Sequence, residues 1–305
     1  MPTTKGAFKI FTLAGIGVYV HWLWFLVAVA SFQYRTHAYS SIIWNVAEYL
    51  SLFLIVLIHE FGHQLACRSV GGQTHDIVLW PLGGVAFVSP PQRPGAQLWS
   101  IAAGPLVNVV LVPIFSVFVY LSLHLGWSST YPDLSDFLQN IWWINIVLLV
   151  FNMMPVYPLD GGQILRSLLW FIFGRANSLM AASIIGFIGF AGLLAVAFWL
   201  QSIWLGIMAI FIVINCWSGL KQARALARVA KLPRRTGFAC PSCKTAPPLG
   251  ALWRCGKCGK AFDTFQTSAL CPHCGTQYNN TQCLDCGTAH PFSEWIVPPS
   301  NPGNM

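Results

Sequence analysis

The chain has very little charge. Only 9% of its 305 residues are Asp, Glu, Lys or Arg, whereas a soluble domain carries about 25%. Together with a hydrophobic content of 55%, this scarcity excludes an ordinary soluble domain and indicates that most of the chain lies in lipid. Acidic residues are the scarcest: there are nine, so few carboxylates are available as ligands or acid–base groups.

Several apolar runs reach the roughly 20 residues that are needed to cross a bilayer. The first run lacks a small-residue cleavage site, which indicates an anchor and not a removed signal peptide. A shorter, partly buried helix is predicted over 161–176. We therefore predict an all-α polytopic membrane protein with six transmembrane helices, near 13–32, 42–66, 97–124, 137–154, 179–200 and 203–220.

The distribution of Lys and Arg predicts the orientation of these spans, because basic residues accumulate in cytoplasmic loops. If both termini are cytoplasmic, Arg35 is the only basic residue of the outside loops. The 125–136 loop contains Asp133 and Asp136 and no Lys or Arg. We expect a multi-pass membrane protein, in contact with the lipid bilayer, with cytoplasmic N- and C-termini.

A basic segment follows the last span, and we treat residues 221–237 as a juxtamembrane linker after a membrane domain of residues 1–220. Its Lys and Arg residues recur at steps of three and four, which gives a helix one basic face. Such a face is attracted to anionic lipid headgroups, although a stop-transfer and topology signal with no regulatory role is the favoured explanation. We expect no nucleic acid partner.

The last part of the chain is rich in cysteine, with eight of the ten cysteines in four Cys-x-x-Cys pairs. This spacing predicts structural zinc sites. Disulfides are the alternative, but thiols in the reducing cytoplasm, where the tail is expected to lie, more often bind metal. We predict tandem zinc ribbons over 238–292, two structural ions and a disordered tail over 293–305. Joining neighbouring pairs is simplest, although interleaved pairing, or His273 or His290 as a ligand, stays open. The pairs so joined are Cys240/Cys243 with Cys255/Cys258, and Cys271/Cys274 with Cys283/Cys286.

The second apolar run ends in a pattern with metal chemistry, His59-Glu60-Phe61-Gly62-His63. Positions i and i+4 share one face of a helix, so His59 and His63 can bind one ion, while Glu60 is placed to act as a general base. Such residues at membrane depth are costly unless they are functional. A zinc hydrolase is the first hypothesis.

Asp160 is the candidate for a third ligand. It follows Pro155 and Pro158 and precedes Gly161 and Gly162, so the fourth run is broken where the aspartate stands. Non-helical backbone within a membrane is tolerated where it is buried in protein or lines a wet cavity. An acid that stabilises a helix start through the helix dipole is the simpler alternative.

The chain resembles the intramembrane site-2 metalloprotease family. The resemblance rests on His59-Glu-Phe-Gly-His63, on Asn152-x-x-Pro155-x-x-Pro158-Leu-Asp160-Gly161, and on Gly17-Val-Tyr-Val-His21-Trp, Pro81-Leu-Gly-Gly-Val85 and Gly104-Pro-Leu-Val-Asn108. It implies that His59, His63 and Asp160 hold a catalytic zinc, that Glu60 is the base, and that spans two to four form a three-helix catalytic core. The cysteine-rich tail departs from the family's nucleotide-sensing module, so nucleotide regulation is not expected.

The resemblance implies an intramembrane zinc endopeptidase that hydrolyses transmembrane or membrane-tethered proteins. Asn108 and Asn152 are candidate donors to an oxyanion or to the substrate, with helix packing as the alternative for each. A hairpin or re-entrant loop over 78–88 could pair with an unwound substrate strand or cover the site. The tail could be a structural cap or could dock the substrate or another protein.

Two other classes compete with a protease. A catalytically silent scaffold or zinc-binding membrane protein would keep the fold, but it should have lost Glu60 or Asp160, and both are present. A zinc transporter would need ligands at several depths along a path, whereas the candidates here form one cluster in the membrane domain and a separate set in the tail.

Overall fold

The computed structural model describes residues 6–25, 39–80 and 83–297. Within them, five helices are long and apolar enough to cross a membrane. The chain is therefore an integral membrane protein. These helices are α1 (Ile42–Ser69), α2 (Pro94–His124), α4 (Pro132–Met153), α5 (Asp160–Trp199) and α6 (Ile203–Ala230), and a short helix, α3 (Trp127–Thr130), lies between α2 and α4.

Local sequence explains where the helices begin and end. The Ser41 side chain accepts a hydrogen bond from the Ile43 amide and caps α1. Pro94 and Pro132 stand in the first turns of α2 and α4, where a missing amide hydrogen costs nothing. The helix predicted over 161–176 and the span predicted over 179–200 are joined in α5, with non-helical backbone at Gly174 (φ 75°, ψ 174°).

The prediction of an all-α protein with a first span over 13–32 is wrong for the described part of that segment. Residues Ala7–Leu13 form strand β1 and Ile16–His21 form strand β2. Five of the six β2 residues are buried, so the strand has no alternating polar face and its apolar run is indistinguishable from a buried helix by periodicity. Residues 26–38 of this region lie outside the described part of the chain.

The two N-terminal strands belong to a four-stranded sheet in the order β1-β2-β3-β4. Strand β3 (Gln73–Trp80) runs parallel to β2, and β4 (Gly83–Ser89) runs antiparallel to β3. The predicted hairpin within 78–88 is confirmed by the β3–β4 pairing. The buried face of β2 and β3 packs on Val56 and Leu57, which holds β4 beside the end of α1 that carries His59.

The cysteine-rich tail folds around one shared core and not as two separate ribbons. Two small sheets, β5–β6 (Trp253–Arg254 with Ala261–Phe262) and β7–β8 (Asn280–Gln282 with Ala289–Pro291), flank it. Trp253, Phe265 and Trp295 pack together in this core. The disordered tail was predicted to begin at 293, but Trp295 is 1% exposed and the described chain continues to residue 297.

Candidate metal centres

The first candidate centre joins α1 to the start of α5. The His59 Nε2 atom lies 3.0 Å from the Asp160 Oδ2 atom, and the His63 Nε2 atom lies 3.4 Å from the same oxygen. The Nε2 atoms of the two histidines are 3.2 Å apart. Two imidazoles and one carboxylate that converge in this way fit a zinc ion with three protein ligands and an open fourth position. The sequence prediction thus names three residues that the fold brings together.

The Nδ1 atom of each imidazole also takes part in a hydrogen bond. The His59 Nδ1–H donates to the Asn108 Oδ1 at 2.6 Å, and the His63 Nδ1–H donates to the Ser100 carbonyl oxygen at 2.9 Å. These bonds leave each Nε2 lone pair directed at the centre, which is the tautomer that a metal requires. Both supports come from α2, so α2 orients ligands that it does not itself supply.

Asn108 of α2 is hydrogen-bonded to both α1 and α4. Its side chain is 0% exposed, and its Nδ2 donates to the Asn145 Oδ1 at 2.8 Å while its Oδ1 accepts from His59. Asn145 in turn donates to the Asn108 main-chain oxygen at 3.0 Å. These hydrogen bonds fit the alternative of helix packing, and through His59 they make Asn108 a positioning residue. Asn145 was missed, although an amide inside an apolar span is itself a signal.

Asn152, the other candidate donor, lies at the last turn of α4, before the break that precedes Asp160. It is half-buried and takes part in none of the hydrogen bonds around the three ligands. It therefore stays a candidate for contact with a substrate.

Glycine lets two backbones approach the reactive side chains. A Cβ atom at Gly104 would overlap the His63 ring and lie 2.8 Å from the His59 Nε2 atom. A Cβ atom at Gly84, on β4, would overlap the Glu60 carboxylate. Glu60 is 5% exposed, so β4 covers it on one side while α2 closes over the imidazoles.

The break before Asp160 is tightly packed. The Gln163 Nε2 donates to the Pro158 oxygen at 3.0 Å, and a Cβ atom at Gly161 would overlap the main chain at Met153. The two prolines end α4, and α5 then begins at the aspartate itself. The predicted broken helix is therefore present.

The tail contains two further centres, each of four cysteines. Cys240 and Cys243 meet Cys283 and Cys286, and Cys255 and Cys258 meet Cys271 and Cys274. The sulfur atoms of Cys240 and Cys286 are 3.6 Å apart, and those of Cys255 and Cys274 are 3.5 Å apart. The predicted pairing of neighbours is wrong, because the inner two pairs join each other and the outer two enclose them. Neither His273 nor His290 is in a cluster.

All four Cys-x-x-Cys segments make the same turn. The amide that follows the second cysteine donates to the carbonyl of the first, as in Gly259 to Cys255 at 2.9 Å. The residue that donates has a positive φ in every case, and it is glycine three times and Lys244 once. The Tyr278 hydroxyl donates to the Cys255 sulfur and lowers the pKa of that thiol to about 5, which favours the thiolate that binds zinc.

The tail is docked on the membrane domain through the turn at Cys283–Gly287. The Arg175 Nη1 donates to the Asp285 carbonyl oxygen at 2.8 Å. The Asp285 carboxylate pairs with Arg234 at 2.7 and 3.1 Å and raises the pKa of that guanidinium. A Cβ atom at Gly287 would lie 3.0 Å from Gln92, just before α2. Tail and membrane domain therefore meet where α2 begins and α5 bends.

Apolar helices surround the two histidines and the aspartate, so the fold is that of a membrane protein with a candidate metal centre among its helices. Residues 47–130 and 126–196 match the model of peptidase family M50. The chain belongs to this family, the site-2 proteases, through residues 47–196.

The chain is also similar to proteins that are named zinc metalloproteases. A zinc metalloprotease of Methanocaldococcus jannaschii is 30% identical over 181 residues, which are 58% of this chain and 50% of that protein. A putative zinc metalloprotease of Synechocystis is 30% identical over 190 residues, 58% of this chain and 48% of that protein. The chain thus spans about half the length of these relatives. The solved site-2 protease of M. jannaschii has the same fold, with a TM-score of 0.51 and 24% identity over 70% of this chain and 95% of that one.

Proposed function

We propose that this protein is an intramembrane zinc endopeptidase that hydrolyses peptide bonds of transmembrane or membrane-tethered proteins. The observation that carries the proposal is the convergence of His59, His63 and Asp160, whose ligand atoms lie within 4.8 Å of one another beside Glu60. A bound zinc ion would supply a Lewis acid for the scissile carbonyl and would bring the pKa of a water to about 7.

Residues of the chain itself are proposed to transfer the proton, to orient the imidazoles and to bind the oxyanion. The Glu60 carboxylate accepts a proton from the attacking water and delivers it to the nitrogen of the leaving amine. Asn108 and the Ser100 carbonyl keep the two imidazoles in the required tautomer. Asn152 is the proposed donor to the oxyanion.

The substrate is proposed to bind as an extended strand along β4. A helical peptide has its carbonyl groups occupied by internal hydrogen bonds, so the cleaved segment must unwind. β4 ends the described sheet, and its Gly84 lies against Glu60. A strand added to β4 would therefore run past the base.

The protease proposal is tested with the purified full chain, reconstituted with zinc and single-span substrates. Glu60→Gln keeps the size and shape of the side chain but not the base, so turnover should fall about 10²- to 10⁴-fold. A photocrosslinker at Val88 in this inactive variant should capture the substrate.

Glu48→Gln is the matched control, since it makes the same change in a buried acid of α1 near the other end of the helix. It should cleave like the wild type. Equal cleavage by the Glu60→Gln protein would refute the mechanism, and turnover without any capture from Val88 would refute the strand model only.

We further propose that the protein holds one catalytic zinc and two structural zinc ions, one in each cysteine cluster. The tail is proposed to lie in the cytoplasm of a bacterial cell, against the inner face of the membrane, where it is placed to receive a protein partner. The basic continuation of α6 supports this orientation, because Lys221, Arg224 and Arg228 leave the last span on its exposed side.

A further inference from the structure

Two arginines lie on either side of one tryptophan at the bend of α5. Arg166 and Trp170 are one helical turn apart, and the bend at Gly174 brings Arg175 back over the same ring. The guanidinium carbon of each arginine is 5.9 Å from the centroid of the Trp170 ring. Both cations therefore make a cation–π contact with the same ring.

Neither arginine forms a salt bridge with a carboxylate in the described part of the chain. Arg175 lies near the Asp285 carboxylate and the Cys283 and Cys286 sulfurs, but it donates only to the main-chain oxygen of Asp285, whose carboxylate is bound by Arg234. Arg166 has no such anionic neighbour among the described residues. The Nε atoms of Arg166 and Arg175 are both buried without a hydrogen-bond partner. Desolvated like charges with unused donors are costly unless an anion accompanies them.

We propose that Arg166 and Arg175 bind the phosphate group of a phospholipid between the bend of α5 and the docked tail. The guanidinium fork matches phosphate oxygens, two at a time. A lipid is the source that fits, because this stretch of α5 also presents exposed apolar side chains: Leu168, Phe171 and Ile172 are 48%, 59% and 75% exposed. Acyl chains would lie along them while the headgroup reaches the arginines.

The test is native mass spectrometry of the zinc-loaded full chain in a non-ionic detergent, titrated with phosphatidylglycerol. One lipid should be retained tightly, and diacylglycerol with the same chains should not. Arg166→Gln and Arg175→Gln should each weaken retention at least about tenfold, because each removes charged hydrogen bonds to the phosphate. Arg228→Gln removes the same charge from an exposed position of α6 and should change nothing.

Arg166→Lys supplies an independent variant that keeps the charge but loses the planar fork, and it should retain less lipid than the wild type. Unchanged retention in the Arg166 and Arg175 variants would overturn the proposal, and so would equal retention of diacylglycerol. Displacement of the lipid by millimolar inorganic phosphate would assign the site to a free anion and overturn the lipid as its ligand.

Discussion

At the scale of single residues, buried polar side chains of the membrane helices form a chain of hydrogen bonds that ends at the candidate metal centre. His59 is held by Asn108, and Asn108 is held by Asn145. The sequence predicts the three residues of the candidate metal centre well, because a His-Glu-x-x-His pattern and an aspartate after two prolines are local features. It cannot predict which way an amide points, so it leaves Asn108 open between a donor to an oxyanion and a helix-packing residue.

The hydrogen bond from His59 to Asn108 leads to a prediction about metal affinity. Asn108→Leu removes the acceptor of the His59 Nδ1–H, so the imidazole can rotate and the membrane site should bind zinc about 10- to 100-fold more weakly. Chelator titration of the full chain with metal counting measures this, with Asp160→Ala defining the zinc that belongs to the tail. Asn108→Asp keeps an acceptor at the same place and should retain the metal. If the Asn108→Leu protein bound zinc as tightly as the wild type, Asn108 would not be a positioning residue for the site.

Lys244 leads to a prediction about stability. It is exposed and has a φ of 60°, the conformation that glycine adopts in the other three turns. Lys244→Gly should stabilise the turn by about 1 kcal/mol, because a side chain is strained in the left-handed region. Hydrogen exchange of the 240–245 amides in the full chain should slow. Lys257→Gly, in a turn residue without positive φ, should instead speed exchange around its own site, and the same response in both variants would contradict the explanation.

At the scale of elements, the approach of α2 to α1 is set by small residues. Gly104 leaves room for both imidazoles, and Gly62 of α1 faces the Ala103 oxygen, which a Cβ atom would approach to 2.8 Å. Four of the described spans were predicted close to their observed positions, because long apolar runs identify helices. The strand β2 was not, because burial on both faces removes the alternation by which strands are recognised.

This close approach predicts a sharp effect of one methyl group. Gly104→Ala should displace the imidazoles, so that zinc is lost from the membrane site and turnover falls with it. Gly192→Ala is the matched control: this glycine is also inside a membrane helix, but nothing lies within 4 Å of an added Cβ. The zinc content of each variant and its cleavage of the substrate are measured side by side. A Gly104→Ala protein with full zinc content would show that α2 can retreat from α1.

At the scale of the whole molecule, the tail is one nested unit fixed to the bend of α5 and the start of α2. The spacing of the cysteines identified all eight members of the two clusters, but spacing within a pair says nothing about which pairs meet. In the structure the four pairs meet around a shared core that contains Trp253 and Trp295, and residues far apart in the sequence build that core.

Zinc content separates the nested pairing from the sequential one. Replacing Cys240, Cys243, Cys283 and Cys286 by Ser should leave one tail ion, since only one cluster is removed. Sequential pairing would leave none, because each of its two sites would lose a pair. Replacing Cys240, Cys243, Cys255 and Cys258 reverses the two expectations, with no tail ion for nested sites and one for sequential sites. Counting metal per chain in both proteins, against Asp160→Ala, therefore gives opposite answers for the two models.

The nesting also orders the assembly of the protein in time. The inner centre closes a loop from Cys258 to Cys271, 13 residues apart, whereas the outer centre joins Cys243 to Cys283 across 40 residues. Closing the longer loop costs about 1 kcal/mol more in chain entropy, and its second pair of cysteines is synthesised after the last cysteine of the inner centre. The turn that meets Arg175 and Gln92 belongs to this outer centre. Without Cys283 and Cys286 the inner centre can still form but the outer one cannot, so docking of the tail on the membrane domain depends on closure of the longer loop.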